Sequence, residues 1–405
     1  MTVARVLYLT RNGLLEPLGQ SQILAYLRAL AGDHAISLIT REKPEHWTDP
    51  KAMSDARAEC DQLGISWQPA AFASGPKGIA PATDVAQMVR ACRREVLSGR
   101  ADLIHARSYL PALAARLAKA VSGAPFIFDM RALWPEELIA AGRLRRGSLT
   151  HRAIQRIERA CLREAAGVVS LTEAAARHLR RAYPAELDGK DIAVIPTCAD
   201  LDRFCPPQTA VDRPRVYGCI GTILSGWFRT DWLAAVFEAA ASRDPSAQFE
   251  VVTRDDGTAV RQCIDPQARL GSRLNIFARQ PHDMPDVIRG HDVSVMFFTD
   301  GLSKLGSSPT RLGEALGCGV PVIANDGVGD VASVVRDRSV GVLAAGPSRQ
   351  QMSAALDALD ALMADPALAK RCRRTAEEIY ALDRGVAAYD RLYRTALAAA
   401  GGASP

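Results

Sequence analysis

The sequence predicts an α/β protein with two domains, each built on a parallel, doubly wound sheet. Short apolar runs alternate with longer helical segments, and this alternation restarts after the polar, proline-rich stretch 205–215. The length of 405 residues suits two domains of ordinary size. A break in the helical tail near Gly385 suggests that the last helix returns to the first domain. We therefore predict a first domain over 1–205 plus 385–400 and a second domain over 206–384.

The individual elements follow from hydrophobic periodicity and from helix start and stop signals. In the first half, strands are predicted at 4–9, 36–39, 103–106, 125–130, 168–171 and 192–195, and helices at 22–30, 49–63, 82–98, 111–121 and 172–182. In the second half, strands are predicted at 216–220, 249–253, 274–277, 293–298 and 320–324, and helices at 230–241, 284–289 and 309–317. The tail, 348–399, is predicted to be helical.

Composition favours a cytosolic protein without a disulfide framework. The nine cysteines are scattered and form no Cys-x-x-Cys pair, which indicates reduced thiols. The N-terminus is typical of a strand and too short for a signal peptide, and no apolar run approaches the ~20 residues of a membrane span. Residues 1–200 hold 27 Lys and Arg against 21 Asp and Glu, whereas the remainder holds 23 against 24. The first half can therefore face an anionic partner, and no basic–aromatic run indicates nucleic acid.

The segment 297–325 carries the strongest functional pattern. It runs from the end of an apolar strand through a polar loop into a helix whose start is marked by serines and Pro309. A helix N-terminus offers unpaired N–H groups to a phosphate, and Glu314, one turn further on, can accept hydrogen bonds from a ribose diol. The alternative is an ordinary capped helix with a solvated Glu. The side chains predicted to surround the phosphate are Ser307, Ser308, Thr310 and Arg311.

This segment resembles the donor site of family-four-type glycosyltransferases of GT-B fold. Those enzymes carry a Glu, seven residues, a second Glu and a Gly-x-Pro-Val strand. Glu314 matches the second Glu and 319–322 match the strand, while Gly306 stands where the first Glu would be. The resemblance implies two Rossmann-like domains facing across a cleft. It also implies that a nucleotide-diphosphate sugar is the donor and that no cofactor is needed.

The resemblance assigns further donor-binding residues in two loops. Gly19 matches one glycine of the family's Gly-Gly loop, and Leu18 replaces the other. Gly221 matches the glycine that opens the second domain. Arg229 can stand for one of the two cations that bind the donor diphosphate, and Thr222 occupies the place of the other. The pair Asp200 and Asp202 falls in the family's hinge stretch, where the aspartate is structural, so we reject a metal site there.

Two strand ends in the first half carry polar clusters where ligands bind in open parallel sheets. Asp129 and Arg131 end one strand, and Glu136 follows. We predict that Asp129 and Arg131, with Arg229, serve catalysis; the family often has a His at the place of Arg131. The alternative is a surface ion pair. His105 and Arg107 end the other strand and, with Glu136, are predicted to line the acceptor site or cleft, although His105 could equally be a hydrogen-bonded interior residue.

The stretch 143–163 carries seven Arg and one acid around an apolar stripe of Ala153, Ile157 and Ala160, completed by Leu149 or Leu162. A basic amphipathic helix can lie on an anionic membrane surface, and a solvated helix packed on the sheet is the alternative. We accordingly predict a cytoplasmic protein that makes peripheral contact with the inner membrane face.

The function predicted from these patterns is retaining transfer of a sugar from a nucleotide sugar to a glycan or lipid-linked acceptor, in cell-surface polysaccharide or glycolipid synthesis. A sugar-nucleotide epimerase of the same fold is one alternative, which would need Asp129 and Glu136 as an acid–base pair. A non-catalytic nucleotide-sugar-binding protein is another, and a structural interaction protein is the least favoured.

Overall fold

The computed structural model describes residues 3–72, 79–208 and 213–401. The chain divides into two compact units, one of Met1–Pro196 with Leu382–Pro405 and the other of Thr197–Ala381. Over these described residues, each unit contains one sheet whose strands are all parallel, so the predicted fold class is confirmed.

In its described residues, the first unit contains seven strands in the order β3-β2-β1-β4-β5-β6-β7. Their bounds are β1 Arg5–Leu9, β2 Ala35–Glu42, β3 Ser66–Ala71, β4 Leu103–Arg107, β5 Phe126–Met130, β6 Gly167–Ser170 and β7 Ile192–Val194. Strands β1, β2 and β3 follow one another towards one edge of the sheet, whereas β4 to β7 start beside β1 and follow one another towards the other edge. This topological switch point lies at the carboxyl ends of β1 and β4, where open α/β sheets bind ligands.

Nine α-helices connect the described strands of the first unit. They are α1 Pro17–Gly19, α2 Ala25–Leu30, α3 Pro44–Trp47, α4 Pro50–Gln62, α5 Ile79–Leu97, α6 Tyr109–Ser122, α7 Trp134–Ala140, α8 Leu149–Glu164 and α9 Glu173–Ala182. A π-helical segment, Gln20–Leu24, joins α1 to α2. Several starts are fixed by side-chain caps: Asp49, Ser148 and Thr172 each accept a backbone N–H three residues on.

The part of the second unit that the structure describes contains six strands in the order β10-β9-β8-β11-β12-β13. They are β8 Val216–Ile220, β9 Gln248–Val252, β10 Leu274–Phe277, β11 Val293–Met296, β12 Val322–Ala324 and β13 Gly341–Leu343. The helices are α10 Thr230–Arg243, α11 Gly257–Ile264, α12 Met284–Arg289, α13 Thr310–Gly317, α14 Val331–Arg338, α15 Arg349–Met363 and α16 Leu368–Ile379. The last helix, α17 Leu382–Gly401, belongs to the first unit.

The boundary between the units differs from the predicted one by several residues. The segment 197–205 packs with the second unit, where Ala199 donates its N–H to the Tyr380 carbonyl at 2.8 Å. Arg373 on α16 donates to the carbonyls of Leu201 and Phe204 at 2.8 and 2.9 Å. The polar stretch 205–215 lies partly outside the described residues.

Sequence periodicity missed the shortest and most polar elements. Strand β3 contains Pro69, which cannot donate a ladder hydrogen bond and is tolerated because β3 is an edge strand. Strand β13 spans only three residues. Helices α7, α11 and α14 are only seven or eight residues long, which is too short for a clear helical periodicity. Among the helices of the described residues, none is long and apolar enough to cross a membrane.

Candidate functional site

A buried polar cluster occupies the switch point of the first sheet. Arg107 is the last residue of β4, Asp129 lies near the end of β5, and Arg131 follows that strand. Helix α17 adds Tyr389 and Tyr393, both fully or almost fully buried. The returning C-terminal helix therefore completes this cluster.

His105 lies in the interior rather than on an acceptor-facing surface, so its prediction as a cleft residue is wrong. It has no exposed surface. Its Nδ1 lies 2.7 Å from the Tyr393 hydroxyl and its Nε2 lies 3.3 Å from Oδ2 of Asp129. Burial lowers the pKa of His105, although the Asp129 carboxylate acts in the opposite direction. The neutral imidazole thus holds Asp129 in place.

The ion pair that was the alternative to a catalytic role for Asp129 and Arg131 is present, but it is buried rather than on the surface. Arg131 Nη1 lies 3.6 Å from Oδ1 of Asp129, and the Tyr389 hydroxyl donates to Oδ2 at 3.1 Å. Burial alone would raise the pKa of Asp129, but the charge of Arg131 and the hydrogen bond from His105 outweigh it and hold that pKa below its usual range. Asp129 has no exposed surface, and these contacts are to neighbouring side chains of the cluster.

Arg107 and Arg131 converge on one side chain that the sequence patterns did not single out. The Nη2 groups of the two arginines donate to Oε1 of Gln22, at 3.0 and 3.2 Å. Gln22 lies in the π-helical segment, a rare geometry that is often found at functional sites. Glu136, the remaining predicted acceptor-side residue, forms an ion pair with Arg146.

Gly19 lies in close contact with the backbone of the loop that precedes it, at Gly13 and Leu14. A Cβ at Gly19 would lie 2.1 Å from the carbonyl oxygen of Gly13 and 2.6 Å from that of Leu14. The glycine is therefore required by the loop's own packing, which is a sufficient reason for its presence without a ligand.

We expect Gly19→Ala to lower the free energy of unfolding by about 1–3 kcal/mol, because backbone atoms cannot move aside cheaply. Chemical denaturation measures this change. Gly257→Ala is the matched control, since its Cβ would meet only an ordinary contact at 3.7 Å. Equal stability of the Gly19 variant and the control would contradict this account of the loop.

In the second unit, helix α13 begins at Thr310, and its start differs in detail from the prediction. Pro309 is the N-cap residue and no side chain caps the helix, so the predicted serine cap is wrong. The Ser308 hydroxyl instead accepts the N–H of Thr197 at 3.1 Å. The backbone N–H of Ser307 donates to the Lys304 carbonyl at 3.0 Å.

Glu314 and Arg311 pair along one face of α13. Arg311 donates from Nη1 to Oε2 of Glu314. Glu314 is only 6% exposed, whereas about a third of the Arg311 side chain is accessible. Burial raises the pKa of Glu314, with the Arg311 charge opposing that change. A carboxylate and a cation are thus held together one turn inside a helix N-terminus.

The loop that follows β8 lies beside the loop that follows β11. Arg229 donates its N–H to the Phe297 carbonyl at 3.0 Å, and its side chain pairs with Asp300 at 3.0 Å. A Cβ at Gly221 would lie 2.5 Å from the Phe228 ring, so this glycine is needed for packing. The arrangement places Arg229 in the same loop cluster as the predicted donor-binding loop before α13.

Asn325 and Lys304 are two residues of this cluster that the predicted site omitted. The Asn325 side chain accepts the N–H of Phe298 at 2.8 Å and donates to its carbonyl at 2.9 Å, which fixes the loop after β11. Lys304 is buried and places its ammonium over the Trp227 ring at 2.7 Å from the centroid. In the sequence, only their position in loops that follow strands could have indicated that Asn325 and Lys304 belong to this cluster.

The Asp200–Asp202 pair forms a local turn. Oδ1 of Asp200 accepts the N–H groups of Asp202 and Arg203 at 3.2 and 3.3 Å. Within residues 3–72, 79–208 and 213–401, no group of three His, Cys, Asp or Glu side chains is placed to hold a metal ion.

Two sheets of this topology with strand-end sites define a GT-B glycosyltransferase fold, and family comparisons agree. The model described as "Glycosyl transferase 4-like domain" matches residues 20–198. The model described as "Glycosyl transferases group 1" matches residues 214–364. The chain therefore belongs to the group 1 glycosyltransferases, as its sequence motifs predict. A comparison with curated proteins gave no match.

Solved structures of the same fold cover nearly the whole chain. A glycosyltransferase from Rickettsia africae matches with a TM-score of 0.69 at 13% identity, over 98% of this chain and 99% of that one. Anabaena HepE, solved in complex with UDP and glucose, matches with a TM-score of 0.66 at 17% identity, over 96% and 98%. WaaG, a glycosyltransferase of lipopolysaccharide biosynthesis, gives 0.65 at 14% identity, over 94% and 98%. Because these sequence identities are low, the structural likeness establishes the fold alone.

Proposed function

We propose that the protein is a retaining glycosyltransferase that moves a sugar from a nucleotide-diphosphate sugar to a glycan or lipid-linked acceptor. The observation that carries the proposal is the buried Glu314 held by Arg311 one turn inside α13. A carboxylate there suits a ribose diol, and the helix N-terminus suits a phosphate. HepE, of the same fold, was solved in complex with UDP-glucose, which supports a nucleotide sugar as the donor.

In this proposal the second unit binds the donor and the first unit binds the acceptor. Arg229 and the N–H groups at the start of α13 stabilise the negative charge that develops on the leaving diphosphate. No protein base is assigned, because His105 and Asp129 are buried and engaged with each other. The leaving phosphate accepts the acceptor proton instead.

The test is a transfer assay with a panel of nucleotide sugars and extracted glycan and glycolipid acceptors. We expect stoichiometric nucleoside diphosphate and glycosylated product, with the donor's anomeric configuration retained in the NMR spectrum of the product. An inverted product would contradict the retaining mechanism. Donor binding without transfer to any acceptor would favour a non-catalytic binding protein.

The epimerase alternative receives little support from the geometry. It needs two carboxyl groups able to exchange protons with a bound sugar. Asp129 has no exposed surface, and Glu136 is held by Arg146. Conversion of the donor sugar to its epimer in the absence of acceptor would nevertheless overturn our proposal.

We also propose that helix α8 brings the protein to an anionic membrane surface. Its buried face consists of His151, Glu158, Cys161 and Leu162. The apolar stripe predicted from the sequence lies largely on the other side, where Leu149 is 83% exposed and Ala153 is exposed. Exposed arginines lie beside that stripe and just before the helix: Arg143, Arg145, Arg152, Arg156 and Arg159. An apolar stripe next to cations suits a lipid interface better than open solvent.

We expect the wild-type protein to float with phosphatidylglycerol vesicles at low salt and to be released at high salt, since each cation near an anionic leaflet contributes ~1 kcal/mol. A variant with Arg152, Arg156 and Arg159 changed to Glu should stay in the soluble fraction. The matched control changes three exposed arginines of the second unit to Glu: Arg254, Arg279 and Arg349. Equal flotation of the α8 variant and the wild type would contradict the proposed membrane contact of α8.

A further inference from the structure

Arg107 is a buried cation without a full set of partners. It is only 3% exposed. Its Nη2 donates to Gln22, but its Nε and Nη1 have no hydrogen-bond partner among the described residues. Nε of Arg131 is likewise buried and unpaired within the same described part of the chain. Buried N–H groups of a guanidinium are costly to leave unsatisfied, so these three atoms require an explanation.

The charges around the two arginines do not balance. Among the described residues, Asp129 is the carboxylate that faces them, and it pairs with Arg131. The other titratable neighbours are neutral at physiological pH, because burial lowers the pKa of His105, raises the pKa of Tyr8 to about 12 and raises the pKa of Tyr389 well above its ordinary value. A guanidinium stays protonated even when buried. The cluster therefore holds two positive charges against one negative charge.

We propose that Arg107 and Arg131 bind an oxyanion, a phosphate or carboxylate group, and that this group belongs to the acceptor. The pair lies at the switch point of the sheet, beside the π-helical segment that carries Gln22. Planar guanidinium groups with free N–H donors match the oxygens of phosphate and carboxylate. The assignment to the acceptor rests on the function proposed above, which gives the acceptor to the first unit.

If the two arginines form an oxyanion site, replacing each of them should change the stability of the ligand-free protein in opposite directions. Arg107→Met removes a buried charge that lacks a partner, so the melting temperature of the ligand-free protein should rise. Arg131→Met leaves Asp129 without its cation, so the melting temperature should fall by several degrees. Arg177→Met, on the exposed surface of α9, is the control and should change little. A purely structural Arg107 would instead make both cluster variants less stable.

The binding test uses inorganic phosphate, pyrophosphate and acetate as probes, with potassium chloride at equal ionic strength as the reference. We expect phosphate and pyrophosphate to raise the melting temperature of the wild type above the chloride reference, and this rise to be smaller in Arg107→Met, which keeps only the predicted donor phosphate site. The rise should persist in Arg311→Met, which alters the predicted donor site and removes the partner of Glu314. A rise that is lost in Arg311→Met and kept in Arg107→Met would place the anion on the donor side and overturn the proposal.

An activity measurement identifies the source of the anion. With a phosphorylated or carboxylated acceptor, Arg107→Met should raise the acceptor KM at least tenfold and leave the donor KM unchanged. A proportional loss with neutral acceptors would contradict an anionic acceptor. If nucleotide sugars bind the wild type and the Arg107 variant equally but no oxyanion binds either protein, this inference fails while the proposed function stands. If no nucleotide sugar binds the wild type, the proposed function fails first.

Discussion

Asp129→Asn is expected to lower the free energy of unfolding by about 3–5 kcal/mol, because removing one member of a buried ion pair leaves the other charge uncompensated. Asp129 is the carboxylate that faces Arg131 and Arg107, and it also accepts a hydrogen bond from Tyr389. Asn keeps the shape and removes the charge. Urea denaturation monitored by circular dichroism measures the loss.

Asp55→Asn is the matched control for this change. Asp55 pairs with Lys51 on the surface, where both side chains are mostly exposed, so its loss should cost less than about 1 kcal/mol. Similar effects of the two variants would show that the Asp129 pair is solvent-screened and would contradict the buried cluster.

The stability deficit of Asp129→Asn should depend on pH in a defined direction. The pKa of Asp129 is lowered in the folded protein, so the folded state binds its proton less readily than the unfolded chain. The stability that the ionised Asp129 contributes is therefore fully present above the ordinary Asp pKa of ~3.9. It is lost as pH falls through the lowered pKa of the folded state. The deficit should be constant between pH 6 and 8 and shrink only in strong acid. A deficit that disappears near neutrality would contradict this assignment.

Glu314→Gln is expected to weaken donor binding about 30-fold, or ~2 kcal/mol, since hydrogen bonds to a charged group contribute about 1.5–3 kcal/mol. Gln preserves the volume of a residue that is only 6% exposed. Isothermal titration calorimetry with the preferred nucleotide sugar measures the change. Unaltered affinity would end the assignment of Glu314 to the ribose.

The melting temperature of Glu314→Gln is the control for this binding measurement. Burial raises the pKa of Glu314 in the folded state, so its ionised form is disfavoured there and its stability contribution falls as pH rises through the raised pKa. Glu314→Gln should therefore leave the melting temperature at neutral pH unchanged or slightly higher. A large drop together with weaker binding would indicate a structural role through Arg311.

Regular patterns in the sequence were sufficient to predict the fold. Long apolar runs such as β1 and β5 are buried on both faces and are recognisable without neighbours. The short strand β13 and the proline-containing edge strand β3 depend on their pairing partners, so periodicity did not reveal them.

The candidate site was less predictable because its contacts join residues far apart in the chain. Tyr389 and Asp129 are hydrogen-bonded although 260 positions separate them in the sequence, and Gln22 and Arg131 are hydrogen-bonded across a separation of 109 positions. No local pattern marks such partners. The serine cap at α13 failed for a related reason, since the Ser308 hydroxyl accepts the N–H of Thr197, 111 positions away.

A melting-temperature screen of nucleotide sugars tests most directly whether the protein is a nucleotide-sugar enzyme. At ~100 times its dissociation constant, a ligand adds ~2.7 kcal/mol, which corresponds to several degrees. We predict that one class of nucleotide-diphosphate sugar raises the melting temperature of the wild type. The same class should raise that of Arg107→Met equally and that of Glu314→Gln much less. A panel covering the common nucleotide bases that stabilises none of these proteins, or that stabilises the Glu314 variant as much as the wild type, would contradict the account.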